Sequence, residues 1–322
     1  MICHFSSHSK NSYNGVWHKI MMSIAYEMNK RGYIITKDAD LNWNGPEFGD
    51  GMGRTPDIVI YTNCNHYVTP QKGWYVGLQG PAPGYFSIDK VGCWPHLEST
   101  YTPKLSAPVP KYPEELVYNI KDKKLNHYNN KHLNRSDETH NIPKDHVLLI
   151  MGTTTQSWVP TWVRFAEVCN MLLQHNHKVV VKFLPDIALD NKGERDTRKI
   201  EQLDHIFKQF EGHITCYYKH ESLHDILPNT KAVIVEDNIQ NLEPFMYDVP
   251  VITLGAPPYR HWVKQIYHPH EIIDAVENLS WFNEDRQRDW FSWFVNDYLC
   301  SDVESVSRRL DALLESNTIQ HH

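Results

Sequence analysis

Residues 232–255, AVIVEDNIQNLEPFMYDVPVITLG, constrain the fold more than any other stretch of the chain. Residues 232–235 are a short apolar, β-branched run, and the polar Glu236-Asp237-Asn238 follows. Ile239, Leu242, Phe245 and Met246 then recur at the spacing of one helix face, and Pro250 stops that helix. Residues 249–254 read as a second buried strand, closed by Gly255-Ala256-Pro257-Pro258. Two parallel strands around one helix make a right-handed βαβ unit, whose ligand crevice lies beyond the carboxyl ends of the strands. Asp237, Asn238, Gln240, Asn241 and Glu243 would line that crevice. Free N–H groups at a helix start suit an anion, and a carboxylate such as Glu243 suits a pair of ribose hydroxyls. The pattern predicts a nucleotide site.

The rest of the chain repeats the same alternation. In the first half, residues 2–6, 33–36, 57–62 and 74–78 read as strands. Between the first two, residues 16–30 form an amphipathic helix with Val16, Ile20, Ile24 and Met28 four apart, ended by Arg31-Gly32. The glycine-rich residues 42–57 hold neither a P-loop pattern nor a dinucleotide fingerprint, so they read as a loop. Residues 80–99 are too rich in Gly, Pro and aromatics for regular structure, and residues 100–144, opened by four prolines, read as a connection. The second half starts with the strand 146–151, followed at once by Gly152-Thr153-Thr154-Thr155, a phosphate or sugar contact loop. Helices over 162–174, 200–210, 221–227 and 271–279 alternate with strands over 178–184 and 213–218. The expected architecture is α/β, with two Rossmann-like doubly wound domains facing a cleft. Residues 1–140 would form the acceptor domain with its linker, and 141–322 the nucleotide-sugar domain with C-terminal helices.

Length and composition support that reading. The 322 residues, 41% hydrophobic and 22% charged, suffice for two cores. No run of 18 apolar residues and no signal-like opening is present, and six scattered cysteines form no C-x-x-C pair, so a reducing cytoplasmic setting is expected. A net charge of −7 argues against a protein that coats nucleic acid. Locally the balance reverses: Lys121, Lys123, Lys124, Lys131 and Arg135 face a single carboxylate, Asp122, with His127, Tyr128 and His132 interleaved. Such a strip suits a phosphate backbone, or else is a solvated linker.

Over residues 178–259, and more faintly over 84–99, the chain resembles capsule-type and Kdo-transferase-like glycosyltransferases of the GT-B fold. Asn238, Leu242-Glu243 and Asp248-Val249-Pro250-Val251-Ile252-Thr253-Leu254-Gly255 follow the order of that family's turn, helix start and Pro-Val strand. Asn238 replaces the family's serine, Asn241 its glycine, and Lys182-Phe183-Leu184-Pro185 lacks the histidine of its Lys-x-His-Pro. The resemblance implies a transferase that moves a sugar from a nucleotide donor (a UDP- or CMP-sugar) to an acceptor hydroxyl. Thr153 and Thr154 would lie near phosphate or sugar, Lys182, Asn238 and Asn241 near the phosphates, and Glu243 on the ribose. Asp38-Ala39-Asp40 lies in the presumed acceptor half, so no obligatory metal is expected.

Three residues are candidates for the catalytic base. Asp89 stands among Phe86, Ile88, Val91 and Trp94, where burial would raise its pKa; the same aspartate would also suit an Asx-turn. His18 lies one turn into the first helix, and Asp50 in the glycine-rich loop. For the acceptor, the family resemblance implies a surface or lipid-linked glycan. Compact Asn-, Tyr- and Lys-rich chains are also similar to phage enzymes that glycosylate hydroxymethylcytosine in DNA. In that reading the strip at 121–135 holds the backbone, and Trp43, Trp74 or Trp94 stacks on a flipped base. A sugar-nucleotide epimerase or a glycan-binding protein would fit the same fold.

Overall fold

The computed structural model describes residues 1–7, 16–38, 55–62, 73–78, 80–92, 97–98, 105–125, 142–151, 161–183, 197–217, 222–236 and 242–319. The chain divides into two units, Met1–Pro113 with Ser292–His322, and Glu114–Phe291. Packing at each end accounts for these bounds. The helix Glu114–Lys123 buries Val117 and Ile120, and its Lys121 and the following Lys124 reach Tyr247 and Asp225 of the same unit. The C-terminal helix Val303–Ile319 places Val306, Leu310 and Leu313 in the core of the first.

In the first unit, strands β1 (Ile2–Ser7), β2 (Ile34–Lys37), β3 (Ile58–Thr62), β4 (Trp74–Leu78) and β5 (Phe86–Asp89) form one sheet in the order β2-β1-β3-β4-β5. All neighbours are parallel except β4 and β5, which pair antiparallel. β5 corrects the expectation of an irregular segment at 80–99. It pairs with the preceding strand β4 on one side and with distant Cys300 on the other, where Phe86 and Cys300 exchange both backbone hydrogen bonds. The helix Val16–Lys30 lies as its apolar period predicts, with Ile20, Ile24 and Met28 buried against the sheet. It ends in a Schellman motif: Tyr33 N–H reaches Met28 O at 3.2 Å and Gly32 N–H reaches Asn29 O at 2.9 Å. Gly32 has a φ of +83°, which a side chain would strain.

In the second unit, β6 (His146–Met151), β7 (Lys178–Phe183), β8 (Ile214–Tyr217), β9 (Thr230–Val235), β10 (Val251–Thr253) and β11 (Lys264–Gln265) form a parallel sheet ordered β11-β10-β9-β6-β7-β8. Every residue of β6 is buried, which is why it reads as an unbroken apolar run and not as an alternation. Its core gathers Leu149, Met151, Phe165, Cys169, Leu172 and Val181 with their neighbours. Cys3, Cys169 and Cys300 are free and buried, and burial pushes their thiols up, as for small hydrophobes. No helix among the described residues is long and apolar enough to cross a membrane.

Candidate functional site

The strand–helix–strand stretch that dominated the sequence builds the carboxyl edge of the second sheet. β9 and β10 are parallel, with Val233 opposite Val251 and Val235 opposite Thr253. Among the described residues the helix between them covers Glu243–Met246, with Pro244 in its first turn and Tyr247 as C-cap, and residues 237–241 lie outside the described residues. Asp248 then takes a left-handed φ of 54° and is held by Arg288 through two bonds of 2.7 and 2.6 Å. The helix start on which the anion argument rests lies at residues 237–241, outside the described residues. Phe245 fixes the turn by packing against Tyr259 and Trp290 at centroid distances of 5.0 and 4.9 Å, all three buried.

Glu243, at the first position of this turn, is 3% exposed, and its Oε2 has no hydrogen-bond partner among the described residues. Burial pushes its carboxyl up to about 8, so it is largely protonated at neutral pH and able to donate as well as accept. A buried polar oxygen left without a partner costs about 1–3 kcal/mol unless a ligand or water supplies one. Lys182 lies in the carboxyl-terminal half of β7, buried at 4% exposure and in register with Ile150 of β6. Both residues therefore stand toward the carboxyl edge of one parallel sheet, where open α/β sheets take ligands.

Arg164, on the helix Thr161–Gln174, was not singled out by the sequence, since only tertiary pairing places it here. Its Nη1 donates to Glu236 Oε1 at 3.0 Å and its Nη2 to Leu254 O at 3.2 Å, tying the ends of β9 and β10 together. Thr253 Oγ1 donates to Glu236 O at 2.6 Å, and Gln265 Nε2 to Gly255 O at 2.8 Å. A Cβ at Gly255 would come within 3.1 Å of Glu236, so glycine permits this close approach.

The other sequence candidates fare differently. Asp89 is fully buried and surrounded by donors. Val91 N–H at 2.6 Å and Gly92 N–H at 3.1 Å reach Oδ1, while Glu98 N–H at 3.1 Å and the Tyr298 hydroxyl reach Oδ2. Arg309 Nη2 stands 3.7 Å away. Burial raises the Asp89 pKa, while Arg309, Tyr298 and the backbone donors oppose the rise. This is the Asx-turn arrangement, with the carboxylate engaged in holding the loop to the C-terminal segment. His18 is half-buried in the helix Val16–Lys30.

The basic strip is not a free strip where it is described. The chain at Lys121–Lys124 is the end of a helix, closed by Leu125 N–H on Ile120 O at 3.0 Å with Lys124 at a φ of 49°. Lys121 sits 4.3 Å above the Tyr247 ring, where burial lowers its pKa, and Lys124 pairs with Asp225; Lys123 alone of the three is exposed. Trp74 is 2% exposed and packed in the first core, so it has no face for a flipped base. Asp50, Thr153, Thr154, Asn238, Asn241, Lys131, Arg135, Trp43 and Trp94 lie outside the described residues.

No protein-family model matches the chain, and no curated protein matches it in sequence. Among solved structures it is similar to Thermosulfurimonas dismutans KpsC, beta Kdo 2,4 transferase, with a TM-score of 0.52 and 12% identity, covering 92% of this chain and 91% of that one. The same organism's KpsC, beta Kdo 2,7 transferase, gives 0.47 at 12% identity over 97% and 99% of the two chains. Methanocaldococcus jannaschii UDP-GlcNAc 2-epimerase gives 0.39 at 10% identity over 98% and 100%. The first likeness establishes architecture: two α/β units, one on a mixed and one on a parallel sheet, make this a chain of the GT-B fold.

Proposed function

We propose that the chain is a nucleotide-sugar-dependent glycosyltransferase, with its donor held on the carboxyl edge of the second sheet. The observation that carries this reading is Glu243, a buried carboxyl with an oxygen left without a hydrogen-bond partner among the described residues at that edge. A ribose hydroxyl pair supplies partners of the right kind, since a protonated carboxyl donates to one oxygen while accepting from another. Lys182 is the cation for the donor phosphates, and Thr153, Thr154, Asn238 and Asn241 complete the contacts. The donor is a UDP- or CMP-sugar.

For the acceptor we favour a glycan hydroxyl over hydroxymethylcytosine in DNA. Two of the five cations offered to a DNA backbone are committed within the second unit, and Trp74 is buried. The test is a panel of UDP- and CMP-sugars, with nucleotide release measured with and without glycan acceptors and hydroxymethylcytosine duplex. Acceptor-dependent release supports the reading; isomerised sugar nucleotide without release marks an epimerase, and no turnover of any donor refutes catalysis of this kind. On the same assignment, Glu243→Ala and Lys182→Ala should each weaken nucleotide binding by about 1.5–3 kcal/mol with the fold intact. Calorimetry finding both affinities unchanged would remove the donor site.

A further inference from the structure

The carboxyl edge of the second sheet is acidic where an anionic donor has to bind. β9 ends at Val235, and the next two residues are Glu236 and Asp237. The phosphates of a nucleotide sugar carry charge of the same sign. Asp237 lies outside the described residues, but Glu236 is held firmly. It is 5% exposed, and its carbonyl accepts from Thr253 Oγ1 at 2.6 Å. It stands so close to Gly255 that a Cβ there would lie 3.1 Å from Glu236 Cγ. This carboxylate therefore stays at the edge, and its charge needs an answer.

Arg164 supplies it. The residue lies in the first turn of the helix Thr161–Gln174, which comes after β6. In the order β11-β10-β9-β6-β7-β8 the chain leaves β6 toward β7 and later adds β9 on the other side, so β6 and β9 flank the switch point. Open α/β sheets take ligands beyond the carboxyl ends at such a point. Arg164 and Glu236 come after these two strands, and they pair at 3.0 Å within one unit. The Arg164 side chain is 26% exposed against 6% for Glu236, so the cation is the partner that solvent reaches. Stability does not account for the pair, because desolvation offsets much of the attraction in a pair of this kind. β9 and β10 are also joined without it. They share a parallel ladder, and Leu254 N–H donates to Val235 O at 2.9 Å.

We propose that Arg164 is a positioning residue for the donor phosphates, acting through Glu236: it neutralises that carboxylate at the switch point and so admits an anion to the edge. The proposal rests on the glycosyltransferase reading and names what the same site must do to take a charged donor. Its consequence is a sign. Without Arg164 the buried carboxylate is uncompensated and repels phosphate. Without the Glu236 charge the guanidinium is uncompensated and attracts it. A brace that merely ties β9 to β10 predicts otherwise, since either change breaks the same bond and both would weaken binding.

The experiment titrates UDP and CMP by calorimetry into wild type, Arg164→Gln, Glu236→Gln and the double variant, at low and at high salt. Coulombic interaction between partly exposed groups predicts, at low salt, about a fivefold to tenfold loss for Arg164→Gln and about a twofold to fivefold gain for Glu236→Gln. The double variant should recover most of the loss, and the differences should narrow at high salt. Arg164→Lys, which keeps the charge without the planar fork, should bind more tightly than Arg164→Gln. Weaker binding in Glu236→Gln, or a double variant no better than Arg164→Gln, overturns the proposal and leaves the glycosyltransferase reading standing. If Arg164→Gln does not fold, Glu236→Gln decides alone, and an affinity unchanged or lowered overturns the proposal equally. A wild type that binds neither nucleotide removes the donor site, and this proposal falls with it.

Discussion

Glu243 illustrates how one buried group couples ligand chemistry to stability. Its pKa rises from an ordinary 4.5 to about 8, caused by burial and only partly offset by a backbone hydrogen bond. Between those values the folded chain keeps a proton that the unfolded chain has released. The stability attached to that proton is complete below pH 4.5 and is lost as pH rises through about 8. Glu243→Gln cannot ionise. Without nucleotide, the variant and wild type should therefore differ little near the acid end of this window. Above it the variant should gain, by up to about 1.4 kcal/mol for each pH unit crossed. Urea titrations across the window check this, and a difference independent of pH would show that the carboxyl is not desolvated. Asp89 is the contrasting residue: its neighbours are apolar in sequence, but its actual partners are backbone N–H groups, Tyr298 and Arg309. No local pattern reveals a hydroxyl and a guanidinium more than two hundred positions away.

At the scale of elements, the helix Glu114–Lys123 is fastened to the second unit by a histidine. His224 is buried; its Nε2 lies 2.6 Å from Leu125 O and so donates, leaving Nδ1 to accept from the Tyr247 hydroxyl at 3.0 Å. Burial lowers its pKa, Lys121 and Lys124 lower it further, and the Leu125 carbonyl and Asp225 oppose them. For a depressed histidine the stability is present above the unfolded value of 6.5 and is lost as pH falls through the folded one. His146, with Pro143 O and Thr230 Oγ1 on its two nitrogens, shifts in the same direction. Amide exchange in Glu114–Lys123, corrected for intrinsic rate, should speed about tenfold on acidification across this range, and His224→Gln should abolish the response. Exchange that ignores pH in wild type would refute the fastening role.

That helix also marks where local reading stops. Periodicity located Val16–Lys30, Trp74–Leu78 and His146–Met151 at their observed bounds, because each satisfies its hydrogen bonds and its apolar face with a strong local signal. Pro103, Pro108, Pro110 and Pro113 masked the helix that follows them, and the four-residue β5 lay hidden because the Gly and Pro around it outweigh its short apolar signal. Among the described residues the helix of the βαβ stretch ends at Met246, ahead of Pro250, because Asp248 turns the chain into the left-handed region. Of the candidate site, Glu243 and Lys182 were legible from strand ends. Arg164 was not, since about seventy residues separate it from Glu236 and only the packing of its helix on the sheet brings them together.

At the scale of the whole molecule, the first unit is not a contiguous piece of chain. The C-terminal helix Val303–Ile319 supplies Val306, Leu310 and Leu313 to the core that holds Cys3, Ile24 and Val76. Burial of each such side chain contributes about 1.5–3 kcal/mol, so the three together contribute about 5–9 kcal/mol. That is comparable to the total stability of an ordinary domain. The same helix brings Arg309 beside Asp89, and its Asp311 and Ser307 engage Arg31, whose other bonds run to Glu27. Asp311 is exposed, so that ion pair adds little; the apolar contacts and the largely buried Arg309 beside Asp89 decide the outcome. Ending the chain at Asp302 should therefore unfold the first unit and leave the second, whose core draws nothing from residues beyond 302, with its own transition. Hydrogen exchange read strand by strand checks this. Protection should vanish in Ile2–Ser7, Ile58–Thr62 and Trp74–Leu78 and persist in His146–Met151 and Lys178–Phe183. In the full-length chain, Leu310→Ala should cost about 2–5 kcal/mol and weaken the same strands first. Retained protection of the first sheet after truncation would mean that its core closes without the returning helix, against the burial of Val306, Leu310 and Leu313.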